Sequence, residues 1–168
     1  MTNGNSLELV CVKNKDEIIK VAELADSIWH EHYRGILKKE QIDYMIGKFQ
    51  SQGAVINQMK RQGYEYYLIK WRGEFAGYVG IVENKADLFL SKLYILKEFR
   101  GKGLFSYVLE CLIKRCKEKN LYRIWLTVNK QNSSIAVYIK KGFKTFNTQV
   151  TDIGGGYIMD DYLMELKV

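Results

Sequence analysis

The feature that most restricts the fold of this 168-residue chain is the stretch EFRGKGLFSYVLECLIKRC, residues 98–116. It follows an apolar run that predicts a strand, and its own apolar residues recur at helical spacing. A strand, a glycine-containing loop and a helix in this order present free backbone N–H groups at the positive end of the helix. Glycine lets a phosphate approach the backbone, and Arg100 and Lys102 add positive charge. The stretch therefore predicts a phosphate-binding turn.

Two common nucleotide-binding motifs do not describe this turn. A P-loop requires G-x-x-x-x-G-K-[ST], and the dinucleotide fingerprint requires G-x-G-x-x-G. Gly101 and Gly103 begin the second motif, but position 106 is Ser. A different phosphate-bearing ligand is favoured, and an incidental surface loop stays open as the alternative at this point.

The rest of the chain predicts a mixed α/β domain. Strands are predicted at residues 7–12, 64–71, 75–83, 88–96 and 122–128, followed by a final pair of strands with a flexible turn at 154–156. Helices are predicted after Asn14, which forms a capping pattern with Glu17, and at residues 39–49, 55–62, 103–119 and 133–141. The three middle strands are predicted to be antiparallel neighbours. Because no linker or repeat interrupts this order, we expect one domain over residues 1–168.

The formal net charge of +7 favours anionic ligands: nucleic acid, membrane phosphate or a phosphorylated cofactor. The basic residues are spread along the chain and form no known nucleic-acid motif, so we expect no nucleic acid. No apolar run approaches the roughly 20 residues that span a bilayer, and the start MTNGNSLELV does not have the pattern of a signal peptide. We therefore expect a soluble, cytoplasmic protein with no membrane partner.

The cysteines and histidines do not predict a metal site. Cys11, Cys111 and Cys116 have no metal-ligand spacing, and an odd count fits reduced thiols in the core. His30 and His32 have no nearby ligand partners in the sequence. We expect no metal cofactor.

Residues 93–143 resemble the GCN5-related N-acetyltransferase (GNAT) family. Its first mark is Arg or Gln, two residues, Gly, one residue, then Gly or Ala, and Arg100 and Gly103 match while Phe105 departs from it. Its second mark is Asn after the next strand and Tyr on a short helix that ends in Gly-Phe. The second mark is present here, with Asn132, Tyr138, Gly142 and Phe143.

The resemblance implies a GNAT-like α/β fold, with a mixed, mostly antiparallel sheet of about seven strands flanked by helices. It also implies acetyl-CoA as cosubstrate. The stretches at residues 30–45 and 151–166 look like the bacterial subgroup that includes spermine/spermidine acetyltransferases. The positions that the resemblance assigns to acetyl-CoA are Leu93, Tyr94, Ile95, Arg100, Gly101, Lys102, Gly103, Leu104, Phe105, Ser106, Asn132 and Tyr138.

Acetyl transfer to an amine requires a neutral amine, a donor for the oxyanion and a proton for the departing thiolate. The resemblance puts Tyr138 beside the sulfur as the proton donor, and a backbone N–H near Tyr94 or Ile95 at the oxyanion. Some relatives use a Glu as base where this chain has Thr127, which cannot act as one. The open candidates, acting through water, are Glu31, Glu83, Asp87 and Asp160.

The expected function is direct acetyl transfer to a primary amine, with a polyamine, another small amine or a peptide α-amine as acceptor. The acceptor pocket is expected at His30, His32, Tyr33, Glu83 and Asp160. A polyamine requires acidic lining, and strand alternation turns at most one of Asp160 and Asp161 inward. A non-catalytic acyl-CoA sensor and a nucleic-acid-binding protein remain alternatives. A homodimer is left open.

Overall fold

The computed structural model describes residues 6–168, so part of the N-terminal stretch used above to argue against a signal peptide, residues 1–5, lies outside the described residues. The strands form one seven-stranded sheet in the order β1-β2-β3-β4-β5-β7-β6. They are β1 (Leu7–Cys11), β2 (Tyr64–Trp71), β3 (Glu74–Glu83), β4 (Asp87–Ile95), β5 (Arg123–Asn129), β6 (Lys144–Gly154) and β7 (Tyr157–Lys167). The predicted fold class is confirmed.

The helices also follow the predicted positions closely. They are α1 (Lys15–His32), α2 (Lys39–Met45), α3 (Gln52–Arg61), α4 (Leu104–Lys119) and α5 (Ile135–Lys140). The predicted cap of α1 is present, since Glu17 N donates to Asn14 Oδ1 at 3.0 Å and Asn14 N donates back to Glu17 Oε2 at 3.1 Å. None of the helices in residues 6–168 combines the length and the apolar composition needed to cross a membrane.

The predicted helix at residues 39–49 changes geometry partway. After α2 the chain continues as one π-helical turn, Ile46–Gln50, before α3 begins with Ser51 as its cap. A wider turn frees carbonyl groups that an α-helix would bind, and Phe49 O accepts from the side chains of Gln58 and Lys92. This turn therefore joins the helical layer to the sheet.

The sheet opens in its middle. Strands β4 and β5 are parallel, and their ladder comprises three pairs, from Asp87 with Arg123 to Phe89 with Trp125. The other neighbouring strands in the sheet are antiparallel. A bulge in β4 lies at Ser91, because Gly80 pairs with Lys92 and the next residue of β3, Ile81, pairs with Leu90. Beyond these points the two strands diverge.

Two hydrophobic clusters cover the two faces of the sheet. The first packs α4 against the sheet and includes Leu104, Leu112 and Ile124. The second packs the helices from α1 to α3 against the opposite face and includes Ile28 and Tyr66. Cys116 lies in the first cluster, as the sequence predicted for a structural thiol.

Candidate active site

A cavity of about 840 Å³ lies between the diverging ends of β4 and β5. Its walls come from β4, the loop before α4, the start of α4, β5, α5, β6, β7, the end of α1 and the π-turn with α3. Of the residues assigned above to acetyl-CoA, the lining includes Leu93, Tyr94, Ile95, Arg100, Gly101, Gly103, Leu104, Phe105, Ser106, Asn132 and Tyr138. His32 and Tyr33 from the predicted acceptor pocket also line it.

The edge of β4 offers backbone donors to this cavity. Leu96 N donates to Ala76 O in β3 at 2.8 Å, and Tyr94 pairs with Tyr78 two residues earlier. Because peptide groups alternate sides along a strand, the N–H groups of Leu93 and Ile95 point away from β3, into the gap. Of the two positions at which an oxyanion donor is expected, Tyr94 and Ile95, it is Ile95 whose N–H points into the gap.

The turn before α4 has the conformation that its glycines allow. Gly101 and Gly103 have φ values of +73° and +83°, a region that side chains disfavour. A Cβ at either position would meet no atom within 4 Å, so backbone conformation rather than crowding explains these glycines. The first intrahelical bond is Tyr107 N to Gly103 O, which leaves the first-turn N–H groups of α4 without a helical partner.

The two basic residues of the turn have separate positions. The Arg100 guanidinium donates to Ile95 O at 2.9 Å and to Glu31 Oε2 at 2.6 Å, so it ties the turn to both β4 and α1. Lys102 lies over the rings of Trp71 and Phe99, at 4.7 and 5.5 Å from the centroids, and is outside the cavity lining. The sequence-based expectation that Lys102 contributes at the site is therefore not matched by its position.

Tyr138 stands on α5 between two aromatic rings. Its ring centroid is 5.6 Å from that of Phe105 and 5.5 Å from that of Phe143, both in edge-to-face arrangement. Burial raises the pKa of the Tyr138 phenol, with the charge of Tyr33 as a smaller cause. The phenol therefore stays protonated at neutral pH, as a proton donor must.

A polar group from α1 reaches the same region. His32 Nε2 lies 3.1 Å from Asn132 Oδ1, which also accepts from the backbone N–H of Ser134. Since that amide oxygen can only accept, His32 donates from Nε2. Burial lowers the pKa of His32, so the imidazole is neutral at pH 7. Tyr33 is buried beside Tyr94 and Asn132, and burial raises its pKa.

The other predicted acceptor residues lie outside the cavity lining. His30 Nε2 lies 2.6 Å from Asp43 Oδ1, a hydrogen bond that raises the pKa of the imidazole, and Nδ1 bonds to Asp26 O. Glu83 pairs with Arg115 and Lys119, on the side of the sheet that carries α4. The structure therefore places these two expected acceptor residues in ion pairs outside the cavity lining.

The remaining carboxylates considered as bases are also held in ion pairs. Glu31 pairs with Arg100, and Asp87 accepts two hydrogen bonds from Arg123. Asp160 pairs with Lys130 at 2.7 Å and is half exposed, on the face of β7 turned away from the cavity. Both Glu31 and Asp87 have lowered pKa values, Glu31 chiefly because of Arg100 and Asp87 because of its hydrogen bonds, which outweigh desolvation.

Asp161 and Lys92, which the sequence analysis did not select, are among the titratable residues that line the cavity. Asp161, the other member of the Asp-Asp pair, is the inward one. Lys92 is 5% exposed, and its ammonium donates to Phe49 O at 2.7 Å, to Gln58 Oε1 at 3.0 Å and to Tyr66. Desolvation lowers the pKa of Lys92 to about 7. Strand alternation in the Asp-Asp pair was the sequence signal for Asp161. The bulge in β4 interrupts alternation next to Lys92, so the sequence does not show which way that side chain points.

Comparison with known proteins identifies the family. A model of the Acetyltransferase (GNAT) family matches residues 21–143. The chain belongs to this family. The match covers the splayed strands, the turn before α4 and the helix that carries Tyr138, while the cavity walls from β6 and β7 lie beyond it. This GNAT protein is accordingly an N-acetyltransferase.

Individual relatives extend the similarity of this GNAT chain to most of its length. It is 28% identical over 145 residues to a spermidine N(1)-acetyltransferase of Thermoplasma acidophilum, covering 82% of this chain and 88% of the relative. The structure of PaiA N-acetyltransferase from Thermoplasma acidophilum in complex with coenzyme A has a TM-score of 0.78 at 23% identity, covering 97% and 99% of the two chains. A GCN5-related N-acetyltransferase structure from Rhodopseudomonas palustris has a TM-score of 0.79 at 10% identity, covering 100% and 98%.

The residues of this chain fit an acyl-CoA. The first-turn N–H groups of α4, the open space beside Gly101 and Gly103, and the free edge of β4 all border one cavity. Among residues 6–168, no group of three or more His, Cys, Asp or Glu side chains could hold a metal ion.

Proposed function

We propose that this chain moves an acetyl group from acetyl-CoA directly to a small primary amine. The observation that supports this most is the convergence of three features on one cavity: the unpaired first turn of α4, the N–H of Ile95 in the gap, and the phenol of Tyr138. Each feature answers one chemical need: phosphate binding, oxyanion stabilisation and protonation of a leaving group.

In this proposal acetyl-CoA, when bound, supplies an activated thioester. The backbone N–H groups at the start of α4 hold its pyrophosphate. The N–H of Ile95 donates to the thioester oxygen as negative charge develops there. Tyr138 donates its phenolic proton to the departing sulfur, and the rings of Phe105 and Phe143 hold the phenol in place.

Direct transfer agrees with the positions of the thiols. Cys111 and Cys116 lie on α4, and Cys116 is fully buried in the core. Neither belongs to the described lining of the cavity. Burial raises the pKa of the Cys116 thiol, which disfavours the thiolate that an acyl-cysteine route requires.

A polyamine is the first acceptor to test, because a relative at 28% identity carries the name spermidine N(1)-acetyltransferase. The cavity lining within residues 6–168 holds one carboxylate, Asp161, which matches one ammonium group. Monoamines and amino acids therefore belong in the same panel as spermidine and spermine.

The test is thiol release from acetyl-CoA over a panel of polyamines, monoamines, amino acids, aminoglycosides and short peptides. Wild type is compared with Tyr138→Phe, and Tyr122→Phe is the matched control because Tyr122 is half exposed and outside the cavity. We expect amine-dependent release that falls about 100-fold in Tyr138→Phe and stays unchanged in the control.

Two outcomes contradict the proposal in different ways. Binding of coenzyme A without amine-dependent release over the whole panel would favour the alternative of an acyl-CoA-binding module. Absence of coenzyme A binding would show that the turn at Gly101 and Gly103 is not a pyrophosphate site.

A further inference from the structure

The carboxylate of Asp161 is the unusual charged group of the cavity. Its Oδ1 atom is buried and has no hydrogen-bond partner. A buried carboxylate oxygen without a partner is costly, and native proteins keep such groups chiefly where a ligand or a reaction uses them. Because Asp161 lines the cavity, the missing partner can come from a bound substrate.

The fold turns Asp161, and not Asp160, toward this space. Asp161 pairs with Asn129 in β5 and with Gln149 in β6, and both partners line the cavity. Asp160, one residue away on β7, points to the opposite face and pairs with Lys130. The two adjacent carboxylates therefore have different environments, one ion-paired and exposed, the other half-buried and unpaired.

The charged and titratable neighbours of Asp161 leave it without a cationic partner. Asp160 comes from its own strand, Lys130 follows β5, and Tyr33 comes from the end of α1. The neighbours from β5 and β6 in register, Asn129 and Gln149, carry no charge. Lys130 is engaged by Asp160, so it does not neutralise Asp161 directly.

Asp161 also stands in the right relation to the proton donor. Asp161 raises the pKa of the buried Tyr33 phenol, and Tyr33 is close enough to Tyr138 to raise the pKa of that phenol as well. Asp161 and Tyr138 are therefore both neighbours of Tyr33, and all three residues line the same cavity. An amine held at Asp161 is then in the same cavity as the group that protonates the sulfur.

We infer that Asp161 is the catalytic residue that binds the incoming ammonium group and accepts its proton. This inference rests on the proposed function and names its missing base. Desolvation raises the pKa of Asp161 to about 6, assisted by the charge of Asp160. A carboxylate with this pKa is ionised at neutral pH and is basic enough to serve in proton transfer.

The protons balance as follows. The ammonium nitrogen loses its first proton to Asp161, which later releases it to solvent. The neutral nitrogen then forms the C–N bond while the C–S bond breaks and its electron pair goes to sulfur. Tyr138 gives the sulfur a proton, and the second proton lost by the nitrogen restores the phenol. The net products are the amide, the free thiol and one proton in solution.

The experiment compares Asp161→Asn with Asp160→Asn on the full chain, using the best acceptor of the panel. At pH 7 we expect kcat/KM to fall about 100-fold in Asp161→Asn and to stay within about twofold of wild type in Asp160→Asn. The wild-type profile should lose activity below about pH 6. The Asp161→Asn profile should instead rise tenfold per pH unit toward the pKa of the free amine.

A second acceptor separates proton transfer from structure. The weakly basic 2,2,2-trifluoroethylamine is uncharged at neutral pH, so its acetylation should be much less sensitive to Asp161→Asn. An equal loss with both amines, or the same pH profile in wild type and variant, would overturn the inference and leave Asp161 a structural residue. If wild type acetylates no amine, the proposed function fails and the inference with it. Wild-type activity with indistinguishable Asp161→Asn and Asp160→Asn variants sinks the inference alone.

Discussion

The rings of Phe105 and Tyr138 meet edge to face, with their centroids 5.6 Å apart. Phe105 occupies the position at which the family motif has a small residue, so this contact is a property of the present chain. The backbone N–H of Phe105 stays in the first turn of α4, where a small residue would also place it. Its aromatic ring packs against Tyr138 on α5. The departure from the motif therefore links the proposed phosphate-binding turn to the proposed proton donor.

This contact predicts the effect of removing the ring. Phe105→Ala should lower kcat about 3–10-fold, because a less constrained Tyr138 spends less time in the productive geometry. The KM for acetyl-CoA should change little, since the backbone donors remain. Steady-state kinetics of Phe105→Ala beside Phe105→Leu, which retains apolar bulk, tests this. A large rise in KM with unchanged kcat would contradict it.

The ion pair between Arg100 and Glu31 predicts a binding effect without a catalytic one. Arg100→Ala removes the bonds to Ile95 O and Glu31 and should raise the Kd of coenzyme A about tenfold, the cost of losing about one charge-assisted hydrogen bond. Glu31→Gln should keep kcat within about twofold, because the Glu31 carboxylate is held in an ion pair with Arg100. Calorimetric titration and kinetics measure both, and a kcat loss in Glu31→Gln comparable to that of Asp161→Asn would restore Glu31 as a candidate base.

Lys92 predicts a pH dependence of stability. Its folded pKa is lowered to about 7 from an ordinary value of 10.5, so above pH 7 the unfolded chain binds a proton that the folded chain does not. The contribution of Lys92 to stability therefore rises with pH between about 7 and 10. Relative to Lys92→Met, wild type should gain about 2 kcal/mol from pH 7 to pH 9 in urea unfolding. Lys114→Met, at an exposed site, should show no such difference.

Asp161 predicts a cost in stability. Its folded pKa of about 6 lies above its ordinary 3.8, so the folded chain carries a disfavoured charge above pH 6 and is relieved of it as the pH falls toward 4. The free energy of unfolding of Asp161→Asn should therefore exceed that of wild type by about 1–2 kcal/mol at pH 8, a figure reduced for partial exposure. This difference should vanish near pH 4. Asp160→Asn should lose a little stability or none. Thermal unfolding at both pH values decides, and equal effects of the two substitutions would exclude a strained Asp161.

The spacing of apolar residues predicted the helices and strands well, because buried positions recur at a regular interval within each of them. The predicted strands at residues 75–83 and 88–96 differ by one residue at their ends from β3 and β4. The capping of α1 by Asn14 depends on residues three apart, which sequence shows directly. The turn at Gly101 and Gly103 was found for the same reason.

Asp161 and Lys92 escaped prediction as cavity residues because their placement depends on partners far along the chain. Alternation allowed either Asp160 or Asp161 to face inward, and the pairing of β7 with Asn129 in β5 selects the second. Glu83 looked free in the sequence, but Arg115, 32 residues away, neutralises it. A lysine in a strand is expected to be exposed, but the π-helical turn and α3 cover Lys92 and accept its hydrogen bonds.

The gap between β4 and β5 also has a mechanical consequence. The first four strands and the last three are joined within the sheet by a parallel ladder of three pairs. Because that ladder is short, we expect the middle of the sheet to deform more easily than the two antiparallel parts on either side of it. A ligand that accepts hydrogen bonds from the edge of β4 and contacts the facing wall would connect the two strands where they have no hydrogen bonds to each other. Substrate binding would then make the whole domain more rigid, and product release would again let strands β1–β4 move relative to strands β5–β7.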